Sequence, residues 1–170
     1  MAELTEDIAQ KVAANAAEEF VKHYYAALNS SKGGQPPIAS FYLSPTDSRT
    51  PTISINGEVF HEATLLQSKI DDQPERSQYE VQSFDCQVLN SNYNVGVDDT
   101  AISPEKDGRK MSILVLVSGS VKNMKDDIGA DIRGFSESII LVPGWDAHAS
   151  KASKGSRKWL ISSQTFRFVL

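Results

Sequence analysis

Apolar residues over the first thirty or so positions recur at helical spacing. Ile8, Val12, Ala16, Phe20, Tyr24 and Leu28 form one file, with Ala9, Ala13, Ala17, Val21 and Tyr25 beside it. This period predicts a long amphipathic helix from Thr5 to about Ser30. Thr5 offers a capping hydroxyl, Glu6 and Asp7 suit the positive end of the helix dipole, and Lys32-Gly33-Gly34-Gln35-Pro36-Pro37 ends the run. The apolar stretch Ile38 to Leu43 predicts a second, short helix.

The period then changes. Ile53-Ser54-Ile55-Asn56-Gly57-Glu58-Val59-Phe60 alternates about an Asn-Gly pair, the signal of a two-stranded hairpin, because both turn positions need positive φ. His61 to about Asp72 reads as a helix with Ala63, Leu65, Leu66 and Ile70 inward, closed by Gln73-Pro74. The rest reads as strands: Tyr79 to Leu89, Met111 to Val121, Phe135 to Val142 and Arg157 to Leu170. In the first of these Tyr79 and Val81 share one parity while Phe84, Cys86 and Val88 take the other, which predicts a bulge near Gln82 or Ser83 and a bent sheet. Three long loops separate the strands: Asn90 to Lys110, Lys122 to Arg133 and Pro143 to Ser156. Helices first and strands later make the fold class α+β, with residues 1–170 as a single domain.

Helices can cover only one face of such a sheet. Ile113-Leu114-Val115-Leu116-Val117 and Ile139-Ile140-Leu141-Val142 are apolar at both parities, and the closing strand is mixed. Strict alternation there puts Trp159, Ile161, Ser163, Thr165, Arg167 and Val169 on one face, with Leu160, Ser162, Gln164, Phe166, Phe168 and Leu170 on the other. The second face needs a cover, for which a second protein is expected; a long loop folded over the sheet is the alternative.

Composition narrows the class. At 170 residues, 40% hydrophobic and 23% charged, the chain is an ordinary globular protein. A net charge of -5 and a pI near 5.2 argue against a free-standing nucleic-acid binder. MAELTEDIAQ carries acids, and no apolar run approaches a membrane span, so neither a secretory leader nor a membrane segment is expected. Cys86 has no cysteine to pair with, which agrees with a reducing compartment. His23, His61, His148 and Cys86 lack ligand spacing, so no metal and no cofactor is expected.

Several stretches carry a family resemblance: AAEEFVKHYY (Ala16 to Tyr25), INGEVF (Ile55 to Phe60), FDCQVL (Phe84 to Leu89), ILVLVSGSVK (Ile113 to Lys122), FSESIILV (Phe135 to Val142) and KWLISSQTFRF (Lys158 to Phe168). In order and spacing they resemble the nuclear transport factor 2-like family, and within it the small accessory subunits of general mRNA export receptors, with loop lengths of the fungal-type branch. The resemblance implies a cone-like fold: a long N-terminal helix and two shorter helices wrapped by a strongly curved antiparallel sheet, whose other side packs on a related domain of a large subunit. It implies a non-enzymatic heterodimer that passes the nuclear pore on phenylalanine-glycine-repeat nucleoporins with RNA or ribonucleoprotein cargo, ribosomal subunits among them. The expected location is the nucleus and nuclear pore, shuttling to the cytoplasm, with no membrane partner.

Candidate residues follow from both lines. Arg167, in the family's FRF position, is expected to pair with a carboxylate of the partner, and Trp159, Ile161, Thr165, Val115 and Asp85 are expected at the same interface. The alternative for Arg167 is an exposed guanidinium stacked on Phe166 or Phe168. Lys151, Lys154, Arg157 and Lys158 gather four cations in an acidic chain, either an RNA contact or a solvated loop. The same fold family also houses cone-cavity dehydratases and isomerases, for which His23, Tyr24, Tyr42 and Asp85 are the candidate acid-base groups. A homodimeric carrier is the third reading.

Overall fold

The computed structural model describes residues 4–30, 36–73, 77–97, 108–123, 131–148 and 156–169. Helix α1 runs Glu6–Asn29, about 36 Å long at 1.5 Å per residue. Thr5 caps it by accepting from the Ile8 N–H, as its hydroxyl predicts. Its inward stripe is rich in small residues, Ala9, Ala13, Ala16 and Ala17, before it widens to Phe20, Val21, Tyr24 and Tyr25. The alanines allow close approach to the sheet, and the aromatics fill the space where the sheet curves away.

A 3-10 turn spans Ile38–Phe41, and strands β1 (Thr52–Ile55) and β2 (Glu58–Phe60) form the predicted hairpin. Asn56 and Gly57 hold its turn at φ 51 and 90. Helix α2 covers Ala63–Asp71. Four long strands follow: β3 (Ser77–Asn90), β4 (Ser112–Asn123), β5 (Ile132–Pro143) and β6 (Trp159–Val169). A four-residue helix α3, Trp145–His148, lies where the sequence predicts only loop.

The strands make one six-stranded sheet in the order β2-β1-β6-β5-β4-β3. Strands β3 to β6 pair antiparallel, but β1 joins β6 in parallel, so the sheet is mixed rather than wholly antiparallel. A long connection separates β1 from β6, which leaves the chain free to approach in either direction. The predicted bulge in β3 lies between Val81 and Ser83, and a second falls between Val88 and Asn90. Opposite the first stands Gly119, where an added Cβ would come within 2.0 Å of the Glu80 carbonyl oxygen; only glycine lets the backbones close here.

A further bulge interrupts β6. Ile140 pairs with Ser163 but Leu141 pairs with Ile161, leaving Ser162 as the extra residue. Inward residues on β6 therefore change parity, from Trp159 and Ile161 to Gln164, Phe166 and Phe168. The core between helices and sheet joins α1, the 3-10 turn and α2 to the inner residues of all four long strands.

The outer edge of β3 is closed at two points. The Asn29 side chain donates to the Tyr79 carbonyl at 2.8 Å and accepts from the Tyr79 N–H at 2.7 Å, mimicking a neighbouring strand. Further on, the Asp85 carboxylate accepts from the Cys86 N–H at 2.8 Å.

Candidate partner interface

The registers place residues in rows across the outer face, the side away from the helices. One row is Asp85, Leu116, Ser138 and Thr165; its neighbours are Gln87, Leu114, Ile140 and Ser163, and Ser83, Ser118, Ser136 and Arg167. Leu116 at the centre is 48% exposed, with Leu114 and Ile140 half-buried beside it. Around them the side chains are small hydroxyls. Such a surface, apolar at the middle, low in relief and rimmed by the charges of Asp85 and Arg167, suits another flat surface.

Asp85, Thr165 and Arg167 therefore lie exposed on this face, in two adjacent rows and on two strands, β3 and β6, that one partner can span. Arg167 points away from Phe166 and Phe168, which face the core side, and the ring of Phe168 instead carries the Arg133 guanidinium at 5.4 Å. Alternation along the strand separates Arg167 from both rings. Val115 and Ile161 are 0% exposed on the inner face, and Trp159 is half-buried against the core, so these three are packing residues and not outer-face positions. The bulge at Ser162 explains the two on β6: it decouples Trp159 and Ile161 from the parity of Thr165 and Arg167. Val115 is inward because it shares its row with Cys86, Ile139 and Gln164.

Of the basic group, Lys151 and Lys154 lie outside the described residues. Arg157 is half-buried, its guanidinium 3.7 Å from the centre of the Phe41 ring and bonded to the Ser40 hydroxyl at 3.4 Å. Lys158 is exposed.

Inside the cone the structure assembles a polar network. Tyr24 and Tyr42 meet hydroxyl to hydroxyl at 2.9 Å, Tyr42 donates to the Gln164 carbonyl oxygen, and the Gln164 amide donates to Tyr24 at 3.1 Å and to Glu137. Tyr25 donates to the other Glu137 oxygen at 2.5 Å. Every donor in this set has one acceptor when Glu137 is ionised and Tyr24 donates to Tyr42. Desolvation works against that charge and pushes the Glu137 carboxyl up to about 7, while the bonds from Tyr25 and Gln164 pull it down. Burial, followed by the nearby Glu137 charge, raises Tyr25 and Tyr24 well above the usual phenol range, so both stay protonated donors.

Of the acid-base candidates read from the sequence, Tyr24 and Tyr42 converge here, whereas His23 is exposed and Asp85 lies on the opposite side of the sheet. Glu137 and Gln164 were not among them. Their signal is a charged or amide residue in an otherwise apolar inward file: Phe135, Glu137, Ile139 and Leu141 on β5, and Gln164, Phe166 and Phe168 on β6. Among the described residues no group of three His, Cys, Asp or Glu side chains is placed to hold a metal, and no helix is long and apolar enough to cross a membrane.

A long first helix laid in a curled sheet, with an outer face that is exposed among the described residues, defines an NTF2-like α+β domain. No family model matches the chain, and no curated protein matches it. Solved structures do. A structure of a Sac3N peptide bound to Mex67:Mtr2 matches with a TM-score of 0.77 and 26% identity over 93% of this chain and 99% of that one. The Chaetomium thermophilum Mex67 NTF2-like domain complexed with Mtr2 matches at 0.74 and 27%, and a structure of Mtr2 at 0.72 and 25%, each again over 93% and 99% of the two chains. Within the NTF2-like class the chain is of the Mtr2 type. The fold alone is shared with a protein described as an NTF2-like dehydratase from Streptomyces avermitilis, at a TM-score of 0.60 and 11% identity over 94% and 99% of the chains.

Proposed function

We propose that this chain is the small, non-enzymatic subunit of a heterodimeric nuclear mRNA export receptor, and that it joins a larger subunit's related domain through the outer face of its sheet. The observation that carries this reading is that face: Leu114, Leu116 and Ile140 lie among small hydroxyls with Asp85 and Arg167 at the rim, on a fold whose Mtr2-type neighbours were solved with Mex67. Burying Leu116 and its neighbours supplies the driving force, and the two charges set orientation and partner choice. The non-enzymatic part is supported by the interior, where Tyr24, Tyr42, Gln164 and Glu137 are bonded to one another. In this reading the dimer carries RNA or ribonucleoprotein cargo past phenylalanine-glycine-repeat nucleoporins and shuttles between nucleus and cytoplasm.

The test is co-purification of the tagged chain from its native cells, followed by light scattering and mass spectrometry. A one-to-one complex with a larger NTF2-like protein is expected, and Leu116→Arg or Arg167→Glu should each weaken it at least tenfold, since a stranded interfacial charge typically costs about 2 to 5 kcal/mol. A clean homodimer, or a heterodimer indifferent to both substitutions, refutes the reading.

A further inference from the structure

Beyond Arg167 the outer face turns apolar a second time. The outward file of β5 runs from Ile140 through Ser138, Ser136 and Gly134 to Ile132, and Ile132 is 64% exposed. Directly across from Gly134 on β6 stands Val169, 56% exposed, with Arg167 next to it in the same file. Two aliphatic side chains thus flank a residue that has none, one along the strand and one across from it, and leave an apolar notch in the sheet.

The fold itself does not ask for glycine here. The φ of Gly134 lies outside the left-handed region, and its register is unbroken towards both neighbouring strands. An added Cβ would come no closer than 3.6 Å to Val169 and 3.9 Å to the Gly119 carbonyl oxygen, which is ordinary contact. Gly119, by contrast, is required by the Glu80 carbonyl behind it. A glycine inside a strand costs stability, because it gives up more backbone entropy than other residues and packs nothing. Where the chain leaves room for a side chain and carries none, the space serves what approaches from outside.

We propose that the notch at Gly134 receives one large apolar side chain of the larger subunit, set beside the carboxylate that meets Arg167. This rests on the heterodimer reading of the outer face and adds a specificity-determining position to it. Gly134 and Arg167 are diagonal neighbours across β5 and β6, about 7 Å apart, so a partner that pairs its acid with the guanidinium brings an adjacent side chain over the glycine. Ile132 and Val169 wall that side chain, and the stem of Arg167 adds a third apolar side. The partner then has two apolar anchor points, this notch and the patch of Leu114, Leu116 and Ile140, with the ion pair between them. Two anchors fix its position along the strands, as one patch cannot.

The experiment measures two quantities on Gly134→Val in the full-length chain: urea unfolding of the free chain, and the Kd for the larger subunit recovered by co-purification from native cells. Valine suits an exposed strand position, so the unfolding constant of the free chain should fall about two- to fivefold. The same side chain fills the notch, so Kd should rise about tenfold or more. Ile132→Thr, which keeps a branched side chain and loses apolar surface, should raise Kd about tenfold and leave the free chain as stable as wild type. If Gly134→Val fails to fold, Gly134→Ala, whose Cβ meets only ordinary contacts, replaces it. Leu116→Arg is the control for the heterodimer. If it breaks the complex while the Gly134 and Ile132 variants bind as wild type does, only the notch proposal fails. If none of the three matters, or the chain elutes without a larger partner, the heterodimer reading falls and the notch with it. A Gly134 variant that loses stability as well as binding makes the glycine structural and also overturns the proposal.

Discussion

Replacing Glu137 with glutamine isolates a single buried charge. Glu137 is 3% exposed, and its carboxyl titrates at about 7 in the folded chain against 4.5 when free. Below pH 4.5 the group is protonated in both states and adds no pH dependence. As pH rises towards 7 the unfolded chain releases its proton while the folded chain holds it, so unfolding gains and stability falls; above 7 both states are ionised and the loss is complete. At about 1.4 kcal/mol per pH unit, the interval gives a loss of about 3 kcal/mol between pH 4.5 and pH 8. Glutamine keeps the shape and cannot titrate. Urea unfolding of wild type and Glu137→Gln across this range should therefore give a difference in stability that shifts by about 3 kcal/mol in favour of the variant as pH rises. A difference that stays flat, or shifts the other way, would show that the five-membered network fully offsets the desolvation of the carboxylate and would refute the reasoning.

Three further outcomes follow from the packing. Ile161→Ala should lower stability by about 2 to 5 kcal/mol by chemical denaturation, as a core truncation does, while the folded fraction binds its partner as wild type does. Tyr42→Phe strands both the Gln164 carbonyl oxygen and the Tyr24 hydroxyl, and should cost about 1 to 3 kcal/mol by the same assay. Gly119→Ala drives a methyl group into the Glu80 carbonyl and should cost about 2 to 3 kcal/mol, with the melting temperature falling accordingly.

The sequence made legible whatever local chemistry decides. The Asn56-Gly57 turn, the Thr5 cap and the bulge after Val81 all announce themselves in neighbouring residues, and all are present. The bulge at Ser162 had the same kind of signal, since Trp159 and Ile161 are odd and Phe166 and Phe168 are even. It was obscured because Leu160 and Val169 are apolar at the opposite positions, which lets an unbroken strand look equally plausible. An unbroken β6 would put Trp159 and Ile161 on the same face as Thr165 and Arg167; the bulge at Ser162 turns the first two inward and leaves the last two outside. The polar network was harder to see. Its members sit on α1, the segment after the 3-10 turn, β5 and β6, and nothing in one dimension shows that Tyr25 and Glu137, 112 positions apart, share a hydrogen bond. The parallel pairing of β1 with β6 is likewise a long-range fact without a local mark.

The side chain of Asn29, laid along β3 at Tyr79, bears on how far assembly can go. A sheet can recruit neighbours by its faces or by its edges, and the two differ in arithmetic. A face, once covered, is used up; an open edge presents each newcomer with another edge and permits growth without limit. At one border of this sheet Asn29 and Asp85 occupy backbone groups that an added strand would need, and at the other β2 is only three residues long. Polymerisation is discouraged at both borders while the broad face stays available. The molecule can take one partner and then stop, which suits a chain whose role is to complete something else.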